Sequence, residues 1–207
     1  SFEIGYKGII AKKLLIDVYY YTSKYQDFIA RVAVARGQSG SPDPVVNFTE
    51  LASPFTTTNY SFVTNSPTPV KANGFGIGGD YQIGDKGYKI MANFYTDALK
   101  DVPVGLITFF NTPKTRYNVG FANANAYKGL GFNVIYKWQD KVNWQGTFAA
   151  SEIPAFGNLD MQVSYKPGKS SNLIKFGAMN IFNNYYRNAY GNPYIGGLYY
   201  ISFGYNV

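Results

Sequence analysis

The carboxylates are the side chains of this sequence that come closest to a catalytic set. The sequence contains no His and no Cys, which excludes imidazole bases, thiol nucleophiles and metal sites made of imidazole or thiolate. A pair of facing carboxylates could still hydrolyse a glycosidic bond as acid and base. The candidates fall on separate predicted strands without a diagnostic spacing: Asp17, Asp80, Asp97 and Asp160. We therefore predict no enzyme activity, no catalytic residue, no bound metal and no cofactor.

A glycine-rich run, Gly74–Gly79, resembles a phosphate-binding loop in composition. Such a loop leads into the N-terminus of a helix, whose backbone N–H groups hold the phosphate. Here the following residues alternate as a strand instead. We interpret the glycines as positions where a strand leaves room on its polar side or bends.

The lysines and arginines could bind an acidic partner, because 19 of them oppose 12 Asp and Glu and give a formal net charge of +7. Nucleic acid is one partner that such a charge suggests. Many of the lysines stand singly or in pairs in predicted turns: Lys12, Lys13, Lys86, Lys128 and Lys169. We therefore expect no nucleic acid among the partners.

Strands must position these side chains. Near the C-terminus, Tyr199, Ile201 and Phe203 alternate with other residues, and successive side chains of a strand point to opposite faces. Nine segments alternate apolar and small or polar residues in this way, and no helical period is sustained along the chain. The segments begin near Phe2, Leu14, Gly74, Tyr88, Arg116, Leu130, Leu159, Ile174 and Leu198.

The connections between these segments are short and long in turn. Short turns follow the first, third, fifth and seventh segments, at residues 11–13, 84–87, 123–129 and 167–171. Long, irregular connections follow the second, fourth, sixth and eighth, at residues 30–69, 99–114, 141–157 and 182–197. An outer-membrane β-barrel has short turns at one end and long loops at the other. A soluble sandwich has no reason for this regularity.

We predict an all-β fold, a transmembrane antiparallel up-and-down β-barrel segment with its apolar faces on lipid and its polar faces toward a watery lumen. No run of about eighteen apolar residues is present, which excludes a transmembrane helix. Bacterial single-chain barrels have even numbers of strands. Nine strands therefore predict that residues 1–207 are the C-terminal part of a larger barrel. The alternative is a soluble carbohydrate-binding β-sandwich, which would bury the same apolar faces inside the protein.

Three motifs of the C-terminal part resemble the barrel region of TonB-dependent outer-membrane receptors of the Bacteroidetes, SusC-like type. The motifs are Ile153-Pro154-Ala155 with Asp160, Asn180-Ile181-Phe182-Asn183-Asn184-Tyr185-Tyr186, and Gly191-Asn192-Pro193 before Gly196-Gly197-Leu198-Tyr199-Tyr200. The resemblance spans most of residues 70–207. It departs from the family at Val207, where the terminal strand usually ends in an aromatic residue.

The resemblance implies a barrel of about 22 strands, filled by a plug domain, that imports nutrients across the bacterial outer membrane with energy relayed by TonB. The expected partners are outer-membrane lipid, the protein's own plug domain and upstream strands, and TonB through the N-terminal region. Neither plug nor TonB box lies in these 207 residues. The sequence leaves open whether a surface lipoprotein covers the channel. A plug-free outer-membrane porin is the alternative within the same fold class.

Two groups of site residues follow from this interpretation. The residues expected to face the lumen and contact a plug are Asp80, Lys89, Arg116, Lys137, Asp160 and Lys175. The candidate substrate-binding residues of the extracellular loops are Phe109, Phe110, Trp144, Tyr185, Tyr186, Arg187 and Tyr190. Aromatic side chains of this second group could stack on a ligand or pack the loops together.

Overall fold

The structure, a computed structural model, describes residues 1–37, 57–146, 150–168 and 172–205. In chain order the strands are β1 (Phe2–Ile10), β2 (Leu14–Tyr25), β3 (Ile29–Gly37), β4 (Thr57–Asn65), β5 (Val70–Ile83), β6 (Tyr88–Lys100), β7 (Leu106–Ile107), β8 (Thr115–Tyr127), β9 (Leu130–Gln139), β10 (Val142–Trp144), β11 (Ser151–Ile153), β12 (Phe156–Tyr165), β13 (Leu173–Met179) and β14 (Leu198–Gly204). No helix among the described residues is long and apolar enough to cross a membrane.

Nine of these strands form one sheet in the order β1-β2-β5-β6-β8-β9-β12-β13-β14. Every neighbouring pair in this sheet is antiparallel. These nine strands are the nine segments that alternate in the sequence. The prediction of an all-β, antiparallel, up-and-down fold is therefore confirmed.

The register of the sheet keeps apolar and polar residues on separate faces. One transverse row joins Tyr6, Val18, Ile77, Phe94, Tyr117 and Trp138 through direct pairing of six strands. The adjacent row, on the opposite face, joins Lys7, Asp17, Gly78, Asn93, Asn118, Lys137 and Asn158. We call these the apolar face and the polar face. A slip of one residue in any pairing would move the apolar side chains of that strand to the polar face. The alternation of apolar and polar residues therefore favours this one register.

The apolar face has no second layer of this chain packed against it among the described residues. The main contacts between elements among the described residues join strands that neighbour one another within a sheet. Large side chains of this face are accordingly exposed, with 55% of Phe176 and 70% of Ile201 open to the surroundings. Monomeric soluble proteins rarely expose an apolar patch on this scale. This geometry favours a lipid-facing wall over the sandwich alternative.

The tyrosines of the polar face occupy the space that the glycines leave. A Cβ atom at Gly74 would collide with the ring of Tyr21, and one at Gly76 with the ring of Tyr19, the residues directly opposite them on β2. The room that the glycines were expected to leave on the polar side is therefore filled by these rings at the two positions, whereas the alternative, that the glycines let the strand bend, stays a prediction. The glycines let aromatic rings lie across the backbone of the next strand.

Two predictions about the connections need correction. The turn expected at 123–129 contains only Lys128 and Gly129, because β8 continues to Tyr127 past a bulge that begins after Asn123. Both turn residues have positive φ angles, 46° and 88°, as a two-residue hairpin of type I′ requires. The long connections are also not irregular throughout. They contain a three-stranded sheet, β4-β3-β7, and the hairpin β10-β11, which pair backbone groups that loops would leave to water.

Candidate functional site

The seven candidate binding residues all lie in the connections that follow β6, β9 and β13. These connections leave the nine-stranded sheet at one end, which we call the long-loop end. The structure places four of the seven residues, the first group, in the lining of one cleft and leaves three, the second group, outside that lining. The first consists of Tyr185, Tyr186, Arg187 and Tyr190, and the second of Phe109, Phe110 and Trp144.

The first group lines a cleft of about 510 Å³, a size typical of small-molecule sites, about 300–1,000 Å³. We call it the tyrosine cleft. One wall comes from β11, β12 and the two residues between them, and the other from the connection between β13 and β14. Its lining residues are Glu152, Ile153, Pro154, Ala155, Phe156, Tyr185, Tyr186, Arg187, Tyr190 and Tyr194.

A stacked aromatic pair joins the two walls of the tyrosine cleft. The rings of Phe156 and Tyr186 lie 4.3 Å apart between centroids at an interplanar angle of 26°. The backbone N–H of Tyr186 donates to the carbonyl of Ile195 at 3.1 Å, and the N–H of Ile195 donates back at 2.8 Å. The connection therefore folds back on itself and holds Tyr186 against the sheet.

Asn180 fixes the start of the same connection. Its side chain is 3% exposed, and its Nδ2 donates to the carbonyl of Asn184 at 2.7 Å. Its Oδ1 accepts the N–H of Asn184 at 3.1 Å, and its own N–H donates to Asp160 Oδ1 at 2.9 Å. Sequence reasoning did not select Asn180 as a site residue. The only available signal was its place at the head of an asparagine-rich motif.

The charges around the tyrosine cleft do not balance. Glu152 is bound by Lys141, whose Nζ lies 2.7 Å from its Oε2, and this hydrogen bond, together with the attraction of the carboxylate, raises the pKa of Lys141. Arg187 lies with its Cζ 4.1 Å from the ring centroid of Tyr194, a cation–π contact. Its Nε is buried and has no hydrogen-bond partner among the described residues. The cleft therefore presents one cation and several ring faces.

The second group of candidates lies around Gln145, which sequence reasoning did not select either. Gln145 Oε1 accepts the backbone N–H groups of Thr108 at 2.9 Å and Phe109 at 3.0 Å. Gln145 and Asn111 also exchange two hydrogen bonds, from Asn111 Nδ2 to the Gln145 carbonyl at 2.8 Å and from the Gln145 N–H to Asn111 Oδ1 at 2.7 Å. A lone glutamine in a loop carries no pattern that could have predicted this role.

The second group is also tied to the three-stranded sheet. Ile107 pairs with Arg31 across β7 and β3, and the guanidinium of Arg31 lies 5.8 Å from the ring centroid of Phe109. Phe109 itself has a positive φ of 55°. The connections that follow β2, β6 and β9 are thus joined into one surface at the long-loop end.

Four carboxylates of the polar face are bound to cations. Asp80 Oδ2 and Asp160 Oδ2 each lie 2.6 Å from a lysine Nζ, that of Lys89 and that of Lys137 respectively. Asp17 pairs with Lys7 at 3.3 Å and Asp97 with Arg116 at 3.4 Å. Tyr21 donates a further hydrogen bond to Asp97 at 2.9 Å. Lys175, the remaining predicted residue of this face, lies directly opposite Ser164 and Ser202.

Comparison with known proteins identifies a family and a fold. The model of the family described as "TonB dependent receptor-like, beta-barrel" matches residues 1–183. The search of curated proteins finds no match.

Solved structures share the fold at low sequence identity. The copper transporter OprC superposes with a TM-score of 0.62 at 15% identity, over 89% of this chain and 25% of that one. The siderophore receptor PiuA from Acinetobacter baumannii gives 0.58 at 16%, over 97% and 26%. The F3-3 variant of the FrpB iron transporter from Neisseria meningitidis gives 0.60 at 17%, over 97% and 30%. The chain thus spans about a quarter to a third of the length of these proteins.

Proposed function

Because the chain belongs to the TonB-dependent receptor-like β-barrel family, we propose that it forms wall and extracellular loops of an active nutrient importer. The nine-stranded sheet is part of a barrel in the bacterial outer membrane. The observation that carries the proposal is the separation of its faces. An uncovered apolar face suits hydrocarbon, and a polar face of paired charges suits a hydrated lumen.

The polar face is proposed to contact a plug domain. Five of the six predicted residues already sit in ion pairs on this face, which are Asp80 with Lys89, Asp160 with Lys137, and Arg116 with Asp97. Because the lysine or arginine of each pair is nearly half exposed, solvent screening keeps the contribution of the pair to stability small, about 0–1 kcal/mol. These pairs place charges of both signs at fixed positions on the polar face. We propose that this charge pattern, together with Lys175, aligns the plug domain inside the barrel.

The long-loop end is proposed to face the cell exterior and to hold the substrate. The tyrosine cleft supplies Tyr185, Tyr186, Arg187 and Tyr190. The surface around Gln145 supplies Phe109 and Phe110, with Trp144 in the adjoining hairpin. Binding residues are commonly carried on loops that a rigid scaffold positions, and the hydrogen bonds of Asn180 and Gln145 give these loops fixed shapes.

Energy coupling through TonB and the Bacteroidetes, SusC-like subtype remain predictions, supported by the three C-terminal motifs. A surface lipoprotein would then be a further partner. Purification of the intact protein from outer membranes in mild detergent tests for the lipoprotein, because a stably associated lipoprotein would co-purify with the protein.

Gene deletion tests the proposed function. A strain that lacks this protein and a strain that lacks TonB should lose growth on the same compound, within a panel of glycans, iron chelates, cobalamin and peptides. Growth that needs this protein but not TonB would favour the plug-free porin. Conductance separates the two as well, since a porin conducts ions steadily across a planar bilayer and a plugged importer does not.

A further inference from the structure

We propose that the tyrosine cleft binds a ring compound that carries a carboxylate, with Arg187 as the residue that binds the carboxylate. This inference rests on the proposed function, because it names the chemical class that the long-loop end of the importer would recognise. Three features of the cleft support it, namely the contact of Arg187 with Tyr194, the charge of the lining and the exposure of its tyrosine rings.

Arg187 is held at the wall of the cleft by a cation–π contact. The Cζ of its guanidinium lies over the ring of Tyr194, 4.1 Å from the ring centroid, and both side chains line the cleft. In-plane donors of arginine match the two oxygens of a carboxylate. The Nε of Arg187 is buried without a partner among the described residues. Because this Nε is covered by protein atoms, a carboxylate in the cleft would instead be bound by the terminal N–H groups of the guanidinium.

The charge of the cleft also favours an anion. Glu152 is the one acidic residue of the lining, and Lys141 neutralises it at 2.7 Å. Apart from Glu152 and Arg187, the lining consists of aliphatic and aromatic residues. Arg187 is therefore a lining cation that has no ion-pair partner within the part of the chain that the structure describes, and a neutral or cationic compound would not neutralise its charge.

The aromatic residues of the cleft are only partly used for packing. Phe156 and Tyr186 stack on each other, so these two rings hold the walls of the cleft together and are not free to bind a ligand. Tyr185 and Tyr194 remain 70% and 59% exposed, although both line the cleft. Exposed tyrosine rings offer flat apolar surfaces with a hydroxyl at the edge, which suit the face of a sugar or an aromatic ring.

Two sources could supply such a compound, namely an acidic sugar or an aromatic acid. The experiment therefore uses two carboxylate probes and their neutral counterparts. Digalacturonate is compared with galactobiose, and salicylate with 2-hydroxybenzyl alcohol. Binding is measured by titration calorimetry on the intact protein in detergent micelles, and the sugar and aromatic arms identify the source.

At least one carboxylate probe should bind to the wild-type protein at least about tenfold more tightly than its neutral counterpart, since a charge-assisted hydrogen bond contributes that much. Arg187→Gln should remove this preference. Arg187→Lys should restore only part of it, because lysine keeps the charge and loses the planar donors. Lys24→Gln is the matched control, because it removes one exposed cation at the long-loop end outside the cleft. The affinity of the Lys24→Gln variant for each carboxylate probe should equal that of the wild-type protein.

Equal affinity of Arg187→Gln and the wild type for a carboxylate probe would overturn the inference, as would equal binding of the neutral probes or no binding of either carboxylate. These results leave the proposed function standing if uptake still requires both this protein and TonB. Loss of that joint requirement would instead contradict the proposed function. The heat-dependent gel mobility of each variant reports whether its barrel has folded.

Discussion

Asp160 accepts a hydrogen bond from the backbone N–H of Asn180 through Oδ1 at 2.9 Å. Its other oxygen, Oδ2, lies 2.6 Å from Nζ of Lys137. One carboxylate thus ties β12 to β9 across the polar face and holds the connection that forms one wall of the tyrosine cleft. The side chain of Asp160 is only 18% exposed, so this link is better shielded than most ion pairs of the sheet. The wall of the barrel and the shape of the candidate binding surface therefore depend on the same residue.

Substitution of Asp160 by asparagine should loosen the connection between β13 and β14. The variant loses the charge of the acceptor, and hydrogen bonds to charged groups contribute about 1.5–3 kcal/mol against about 1 kcal/mol for neutral ones. Hydrogen exchange of the Asn180 and Asn184 amides should accelerate. Asp80→Asn is the control, because Asp80 pairs with Lys89 at a distance from this connection. Equal acceleration in both variants would show that the effect is a general one on the sheet.

Enlargement of Gly76 should destabilise the barrel because the ring of Tyr19 occupies the space. Gly76→Val should cost about 1–3 kcal/mol, as overpacking does, and the double variant with Tyr19→Ala should recover part of it. Gly204→Ala is the control, since its Cβ would meet only ordinary contacts, with the Leu173 carbonyl oxygen at 3.7 Å. Urea unfolding in lipid vesicles measures the difference. Additive costs in the double variant would contradict the ring-on-glycine contact.

The strands and their faces were predictable from the sequence because alternation is a local property. The polarity of adjacent residues indicates which face of the sheet each side chain lies on. That Phe94 and Tyr117 lie side by side on one face then follows from the order of the strands. The faces could be predicted even where the side chains beside the glycines could not. Which side chains fill the space above Gly74 and Gly76 depends on the residues that pair with them on β2. The alternation within one strand does not predict those partners.

The loops were less predictable because their contacts join residues distant in sequence. Gln145 binds Asn111 across 34 positions, and no local pattern marks such a pair. The candidate residues of the tyrosine cleft were found because Tyr185, Tyr186, Arg187 and Tyr190 are close in sequence. Its other wall, from Glu152 to Phe156, was not selected as part of a site. Phe109, Phe110 and Trp144 were correctly expected in long connections but lie outside the cleft.

Acid should release the connection that follows β6 at low ionic strength. Lys71 binds Asp101 at 2.8 Å, and this hydrogen bond and the attraction of the lysine lower the pKa of Asp101. A lowered pKa in the folded state means that the stabilisation is present above the ordinary carboxyl pKa and is lost as pH falls through the lowered one. Protease sensitivity of residues 101–114 should therefore rise in acid. Both groups are exposed, so salt should weaken the effect, and Asp101→Asn should abolish the pH dependence.

Two adjacent residues of β6 should differ in how well they tolerate an introduced arginine. Phe94 lies on the apolar face and Asn93 on the polar face, and an arginine facing lipid costs about 2–4 kcal/mol near the membrane midplane. Phe94→Arg should reduce the yield of folded barrel in the outer membrane, while Asn93→Arg should leave it near the wild-type level. Quantitative blots of outer-membrane fractions measure both. Similar yields would mean that the two residues do not face different media.

A cysteine scan along β6 tests the central claim most directly. The sequence contains no Cys, so each single substitution from Tyr88 to Lys100 creates one labelling site in the intact protein. A fluorophore attached at positions 90, 92 and 94 should be quenched by brominated lipid tails and protected from iodide in water. Labels at positions 89, 91, 93 and 95 should show the reverse. Quenching that does not alternate along the strand would contradict the assignment of one face to hydrocarbon and the other to the lumen.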